Sequence, residues 1–221
     1  MTRTARSQDF SKKQRDCPSW AVLKQSVMRN NMKLIIASNN KHKIYEIKKI
    51  LGDKFSVILS MREAGIEHET VEDGTSFMEN ALKKAREIAE ISGVAALADD
   101  SGICAHALGG EPGIYSARYS GGHGNDEDNN NLLIKNLSDK EDKGAHYTAA
   151  IALVYPDGNT VTAEGHMYGR IIDTPRGERG FGYDPIFVPD GDERTVAEMS
   201  DEEKNAISHR GRALENLLSK L

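Results

Sequence analysis

Residues 33–47 read Lys33-Leu34-Ile35-Ile36-Ala37-Ser38-Asn39-Asn40-Lys41-His42-Lys43-Ile44-Tyr45-Glu46-Ile47. A short apolar run gives way to polar residues, and apolar residues then return at helical spacing at Ile44, Ile47, Ile50 and Leu51. The pattern predicts a strand over 33–38, a loop over 38–43 and an amphipathic helix beyond. Strand and helix keep alternating outward from there. Residues 55–59 read as a second strand. A long helix follows, opened by Ser76 with Glu79 three positions on, a capping box, and carrying Phe77, Ala81, Ala85, Ile88 and Ala89 on one face. Residues 94–99 read as a third strand, closed by Ser101-Gly102, and 125–137 as a helix. Two strands, 147–155 and 160–168, are joined by Pro156-Asp157-Gly158-Asn159, a hairpin signal. Residues 202–221 read as one closing helix. Alternation plus a hairpin gives an α/β class with a mixed sheet flanked by helices.

Composition narrows the function classes. The chain has 221 residues, 38% hydrophobic and 29% charged, ordinary for a globular protein with a sizeable core. The longest apolar stretch, 149–155, is one strand's worth, far below a membrane helix. The two cysteines, Cys17 and Cys104, are too few for a disulfide framework, so a reducing, cytoplasmic setting is expected. The net charge of -5 excludes bulk cationic attraction to nucleic acid as the main activity. Residues 1–31 nonetheless hold seven Lys and Arg against Asp9 and Asp16, and lack an apolar period. They read as a flexible basic extension: a dispensable tail, a targeting segment or a binding arm. No secretory apolar region is present, and Met32 opens the first clear strand.

Four clusters could carry chemistry, each with a plainer alternative. Ser38, Asn39, Asn40, Lys41, His42 and Lys43 sit where a helix begins, with free N–H groups and side chains suited to phosphate oxygens; simple capping by Ser38 or Asn39 also explains them. The glycine spacing of a P-loop is absent. Glu72, Asp99 and Asp100 offer acids from two segments, and magnesium typically takes one or two carboxylates beside waters and substrate phosphates. Neighbours on a strand face opposite ways, so one aspartate is ligand or base and the other supports or caps, unless the four residues 99–102 are merely a turn. Gly180-Phe181-Gly182-Tyr183-Asp184 lets backbone approach a planar ligand on which Phe181 stacks, or else is a core strand entering a turn. Lys204, Ser208, His209 and Arg210 open the last helix as carbonyl readers or as a solvated basic face.

Taken together these segments resemble the inosine triphosphate pyrophosphatase family (XTP/dITP diphosphatases). The matching blocks are Ser38-Asn39-Asn40-Lys41-His42-Lys43 with Glu46, Thr75-Ser76-Phe77-Met78-Glu79-Asn80-Ala81, Ala98-Asp99-Asp100-Ser101-Gly102, Gly110-Glu111-Pro112-Gly113-Ile114-Tyr115-Ser116-Ala117-Arg118-Tyr119, the run from Gly180 to Phe187, and Ser208-His209-Arg210. They fall in family order across 32–221, and residues 1–31 lie outside. The resemblance implies an elongated mixed sheet in two lobes with a nucleotide cleft between them, a homodimer, and magnesium-dependent hydrolysis of ITP, dITP or XTP to monophosphate and pyrophosphate. It implies that Ser38, Asn39, Asn40, Lys41, His42 and Lys43 hold the triphosphate. Glu72 and Asp100 hold the metal, with Asp100 as base for the attacking water. Ser101 binds substrate, Phe181, Gly182, Tyr183 and Asp184 embrace base and sugar, and Lys204, His209 and Arg210 complete the base and phosphate contacts. The loop 112–119 shapes the cleft and dimer face without a catalytic role.

Selectivity is implied by donor and acceptor pattern. Hypoxanthine and xanthine carry a 6-oxo group where adenine carries an amino donor, so donors such as Arg210 and Lys204 would be left unpaired against adenine. Two other readings compete: a pyrophosphatase for modified pyrimidine nucleotides, expected to carry Arg in place of Lys41 and Lys43, and a non-catalytic nucleotide sensor, which would need no base.

Overall fold

The computed structural model describes residues 33–52, 54–122 and 125–221; the expected basic extension, with Cys17, lies outside them. Among the described residues six strands form one mixed sheet in the order β2-β1-β3-β4-β5-β6: β1 (Lys33–Ile36), β2 (Val57–Ser60), β3 (Ala95–Ala105), β4 (Gly144–Val154), β5 (Thr160–Ile171) and β6 (Phe187–Pro189). β1 pairs parallel with β2 and β3, while β3 to β6 are antiparallel. The helices are α1 (Lys41–Leu51), α2 (Phe77–Ser92), α3 (Asp126–Leu137), α4 (Asp201–Ile207) and α5 (His209–Leu218). Among the described residues no helix is long and apolar enough to cross a membrane.

The pleat of β3 sorts the core. Ala96 and Ala98 pack under α2 with Ile35, Ala81, Ala85 and Ile88. Leu97 joins α1 and α5 residues Ile47, Leu51, Leu214 and Leu217 on the opposite face. Further along that second face, Ile103 and Ala105 pack with Leu133, Tyr147, Met167 and Phe187. The sheet therefore has an apolar core at either end, giving two lobes.

Three sequence expectations need correction. β3 does not close at Ser101-Gly102; its pairing with β4 continues through Gly102↔Thr148 to Ala105↔Ala145. Gly102 is there for space, because a Cβ would overlap the Ser116 hydroxyl and the Gly113 carbonyl. The closing helix is two helices. Ser208, extended at φ −66° and ψ 150°, ends α4 and caps α5 by accepting from Gly211 N at 3.0 Å. Glu79 does not complete a capping box with Ser76. Ser76 accepts from Glu79 N, but the Glu79 carboxylate accepts from Thr75 N at 2.7 Å instead. The remaining elements shift only at their ends. The 55–59 strand starts at Val57, leaving Phe55 in the core, and the hairpin is longer than its apolar pattern.

Gly165 marks the close contact of β5 with α5: a Cβ would overlap the His209 carbonyl and the Ala213 backbone. Gly165→Ala is expected to lower stability by about 1–3 kcal/mol and Tm by roughly 3–10 °C, measured by thermal unfolding.

Candidate functional site

The sequence folds the first site segment as a strand-to-helix turn. Asn40, not Ser38 or Asn39, caps α1: its Oδ1 accepts from His42 N at 2.9 Å and Lys43 N at 3.1 Å, while Ser38 Oγ accepts from Asn40 N at 3.2 Å. Ser38, Asn39, Asn40 and Lys43 line a cleft of about 640 Å³, within the usual range for small-molecule sites. Glu72, Lys84, Asp99, Asp100, Ser101 and Arg118 line it too. Lys41 is exposed, and His42 instead stacks on Phe181 at 5.0 Å and 16° between ring planes.

Asp99 and Asp100 project to opposite faces of β3, as strand geometry requires. Asp100 meets α2: Lys84 Nζ donates to Asp100 Oδ1 at 2.9 Å and to Glu72 Oε1 at 2.9 Å, and Asn80 Nδ2 donates to Asp100 Oδ2 at 3.2 Å. Burial raises the Asp100 pKa, with the Glu72 charge adding to it, against the opposing pull of Lys84 and Lys43. Burial also raises that of Glu72, but Lys84, Lys43 and Arg118 outweigh it and hold the group below the usual range. Arg118 Nη1 stands 3.9 Å from Glu72 Oε2, so the 112–119 loop adds a cation as well as a wall.

Two acid groups converging on one ammonium also suit a magnesium ion. Glu72 and Asp100 are hard oxygen donors from separate segments, and Lys84 shows that one positive centre can touch both. Among the described residues no cluster of three or more His, Cys, Asp or Glu forms a protein-only cage. A two-carboxylate site would have to be completed by waters and phosphate oxygens, which is magnesium's habit.

On the other face lies a buried charge network between the two apolar cores. Asp99 Oδ2 accepts from Lys43 Nζ at 3.0 Å and from Arg210 Nε and Nη2 at 3.3 and 3.0 Å. Arg210 Nη2 also donates to Ser101 Oγ at 2.9 Å, and Nη1 to Glu46 Oε2. Lys204 Nζ joins Glu46 Oε1 at 2.9 Å to Asp184 Oδ2 at 2.8 Å. Asp184 further accepts from Phe181 N at 3.0 Å and Tyr147 OH at 3.3 Å. Burial disfavours the charge on Asp99, yet Arg210 and Lys43 hold its carboxyl well below the usual range. Every nitrogen of Arg210 thus already meets a protein acceptor. Arg210, the expected reader of a 6-oxo group, is only 1% exposed, and a guanidinium so buried must be paired internally.

The aromatic end is narrower than expected. Phe181 is the planar surface, with Lys204 Nζ 4.5 Å and Arg210 Cζ 5.9 Å from its ring centroid. Gly182 beside it donates its N–H to Asp126 at 2.6 Å. Tyr183 belongs to the core, its hydroxyl on the Ser116 carbonyl at 2.8 Å, and Asp184 holds the loop from behind. His209 is buried and stacks on Tyr147 at 4.6 Å with Nδ1 unpartnered; burial, with Arg210 adding to it, pushes its pKa well below the ordinary value. Sequence reasoning gave no role to Lys84, Asn80, Glu46 or Arg118. Asn80 and Lys84 were visible as polar residues one turn apart beside the apolar face of a helix.

The Ham1 family model matches residues 34–220. A dITP/XTP pyrophosphatase of Clostridium perfringens is 50% identical over 198 residues, 86% of this chain and 97% of that one. The crystal structure of a nucleoside-triphosphatase, dITP/XTP pyrophosphatase, from Mycobacterium abscessus aligns with TM-score 0.70 at 48% identity, covering 85% of this chain and 99% of that one. A HAM1 protein of Coxiella burnetii aligns with TM-score 0.78 at 37% identity, covering 86% and 100%.

The buried His209 gives a pH signature. Its folded form resists protonation, so the unfolded chain takes up the proton first as pH falls. Its contribution is complete above about 6.5, the unperturbed value, and is lost below it. Thermal unfolding between pH 7 and pH 5 is expected to show a falling Tm in the native sequence and a flatter profile in His209→Phe, which keeps the stack on Tyr147.

Proposed function

The chain belongs to the Ham1 family, and from that premise we propose that it hydrolyses the non-standard purine triphosphates ITP, dITP and XTP to the monophosphate and pyrophosphate. The observation that carries the reading is the meeting of Glu72 and Asp100 on one cation in a cleft whose other wall is the Ser38–Asn40 turn with Lys43. Magnesium is the proposed cofactor, held by Glu72 and Asp100; when bound it supplies Lewis-acid neutralisation of phosphate oxygens.

The protein's own groups divide the remaining work. Ser38, Asn39 and Lys43 face the cleft as phosphate donors. Asp100 accepts the proton of the water that attacks the α-phosphorus; its raised pKa makes it the stronger base of the two acids. Asn80 and Lys84 fix its two oxygens. Lys43, Lys84 and Arg118 offset the charge that grows on pyrophosphate as the bond to the α-phosphorus breaks. Phe181 stacks on the purine, parting from His42 to do so. Arg210 and Glu46 stay in their internal pairs and set where Lys204 and Phe181 stand. A homodimer in the cytoplasm accompanies this reading, tested by the mass in solution and by fractionation.

Pyrophosphate release from a panel of purified triphosphates, with and without magnesium, tests the reading. ITP, dITP and XTP are expected to be cleaved far faster than ATP, GTP or modified pyrimidine nucleotides, and only with the metal. Asp100→Asn is expected to lower kcat by about 10²–10⁴-fold while leaving nucleotide binding within a few-fold. Phe181→Ala is expected to raise KM by roughly 5–100-fold, the scale of one lost stack. Preference for a pyrimidine, or release without magnesium, overturns the assignment.

A further inference from the structure

Residues 66–74, which carry Glu72, form no regular secondary structure. This strap lies along α2 and is fastened to it by side chains. Thr75 N donates to Glu79, Gly74 N to Asn80 Oδ1 at 2.9 Å, Lys83 to Asp73 at 2.6 Å and Lys84 to Glu72 at 2.9 Å. The last rung is Glu87, whose Oε2 takes His68 Nε2 at 2.7 Å and Thr70 Oγ1 at 2.5 Å. Glu79, Asn80, Lys83, Lys84 and Glu87 recur at intervals of three and four, so they make one stripe on the helix surface. The strap runs antiparallel to that stripe, rung for rung. Among the described residues its only backbone bond between 67 and 74, Asp73 N to Val71 O, is local. Below Glu72, the Glu87 latch is thus the rung that keeps the strap against α2.

We propose that Glu87 is a positioning residue for the divalent cation: through His68 and Thr70 it holds the strap so that Glu72 stands beside Asp100. The inference rests on the metal-assisted reading above. Glu87 touches neither Asp100 nor Glu72; His68 and Glu87 are each about 30% exposed and half-buried, and His68 and Thr70 line the cleft while Glu87 stands behind them. Cutting the latch frees the strap on the side of Glu72 away from α2's N-terminus. Lys84 and the more distant Arg118 then hold Glu72 without the latch, and binding the cation must restore an order that the native sequence already has. Metal affinity falls, while the chemistry at saturating metal stays.

The test compares the full-length protein with Glu87→Ala, Glu87→Gln and the pair His68→Ala with Thr70→Ala. Calorimetric titration with Mn²⁺ alone reads metal affinity without turnover. Glu87→Ala and the paired variant are expected to bind Mn²⁺ about three- to tenfold more weakly, the scale of one or two part-exposed hydrogen bonds. Glu87→Gln, whose amide oxygen still accepts from both partners, is expected to recover most of the loss. Digestion by a glutamate-specific protease, which can cut at Glu67, Glu69 and Glu72, is expected to be faster in the strap of Glu87→Ala. In turnover assays of Glu87→Ala the magnesium activation constant rises while kcat at saturating magnesium and KM for nucleotide hold. Unchanged Mn²⁺ affinity in Glu87→Ala, or an equal fall in kcat at saturating magnesium, overturns the proposal. A native protein that releases no pyrophosphate from ITP, dITP or XTP would instead overturn the family reading, and the Mn²⁺ and protease results would still decide the latch.

Discussion

Two neighbouring carboxylates on one strand cannot face the same way, and the site is built on that fact. Asp99 and Asp100 leave β3 on opposite sides. Asp100 enters one set with the cleft-lining Glu72 and Lys84 and the buried Asn80, and Asp99 enters a more deeply buried set with Lys43, Arg210 and Ser101. One aspartate therefore remains open to a ligand while its neighbour ties together helices distant in sequence. Lys43 spans the two sets, standing in the cleft wall and holding Asp99.

The buried set does not earn its place by adding stability. Removing charges from water costs several kcal/mol per ion, and a well-packed apolar replacement is often as stable or more so. What it contributes is placement. It sits where the face of β3 changes from the Leu97 core to the Ile103 core, and it joins α1 through Glu46, α4 through Lys204 and α5 through Arg210. Asp184 extends it to the backbone of Phe181. The aromatic surface and the 38–43 turn are thus positioned by one connected set of ion pairs.

Much of this was legible in the sequence because it depends on period and on local chemistry. Alternation over 33–51 and the hairpin over 156–159 gave the mixed sheet, and strand geometry alone separated Asp99 from Asp100. What could not be read depends on contacts between remote segments. Gly102 looked like a strand end, since nothing local says that Ser116 packs against it. The helix break at Ser208 was hidden because Ser, His and Arg are tolerated inside helices, and only the cap to Gly211 reveals it. The internal pairing of Arg210 could not be read because its acceptors, Glu46 and Asp99, lie 164 and 111 positions away. Lys84 escaped notice although its helix was identified, since its partners come from the strap and from β3.

The Ser208 break has an evolutionary corollary. Lys204 ends up in one short helix and Arg210 in the first turn of the next, yet both must reach Glu46. Each residue added to or taken from a helix rotates the more C-terminal side chains by about 100°, so an insertion between positions 204 and 210 would swing one cation out of register. The polar turn over 156–159 has no such obligation. Length variation among descendants of this chain should accumulate there and be purged at the junction, whatever the identity of the residues in between.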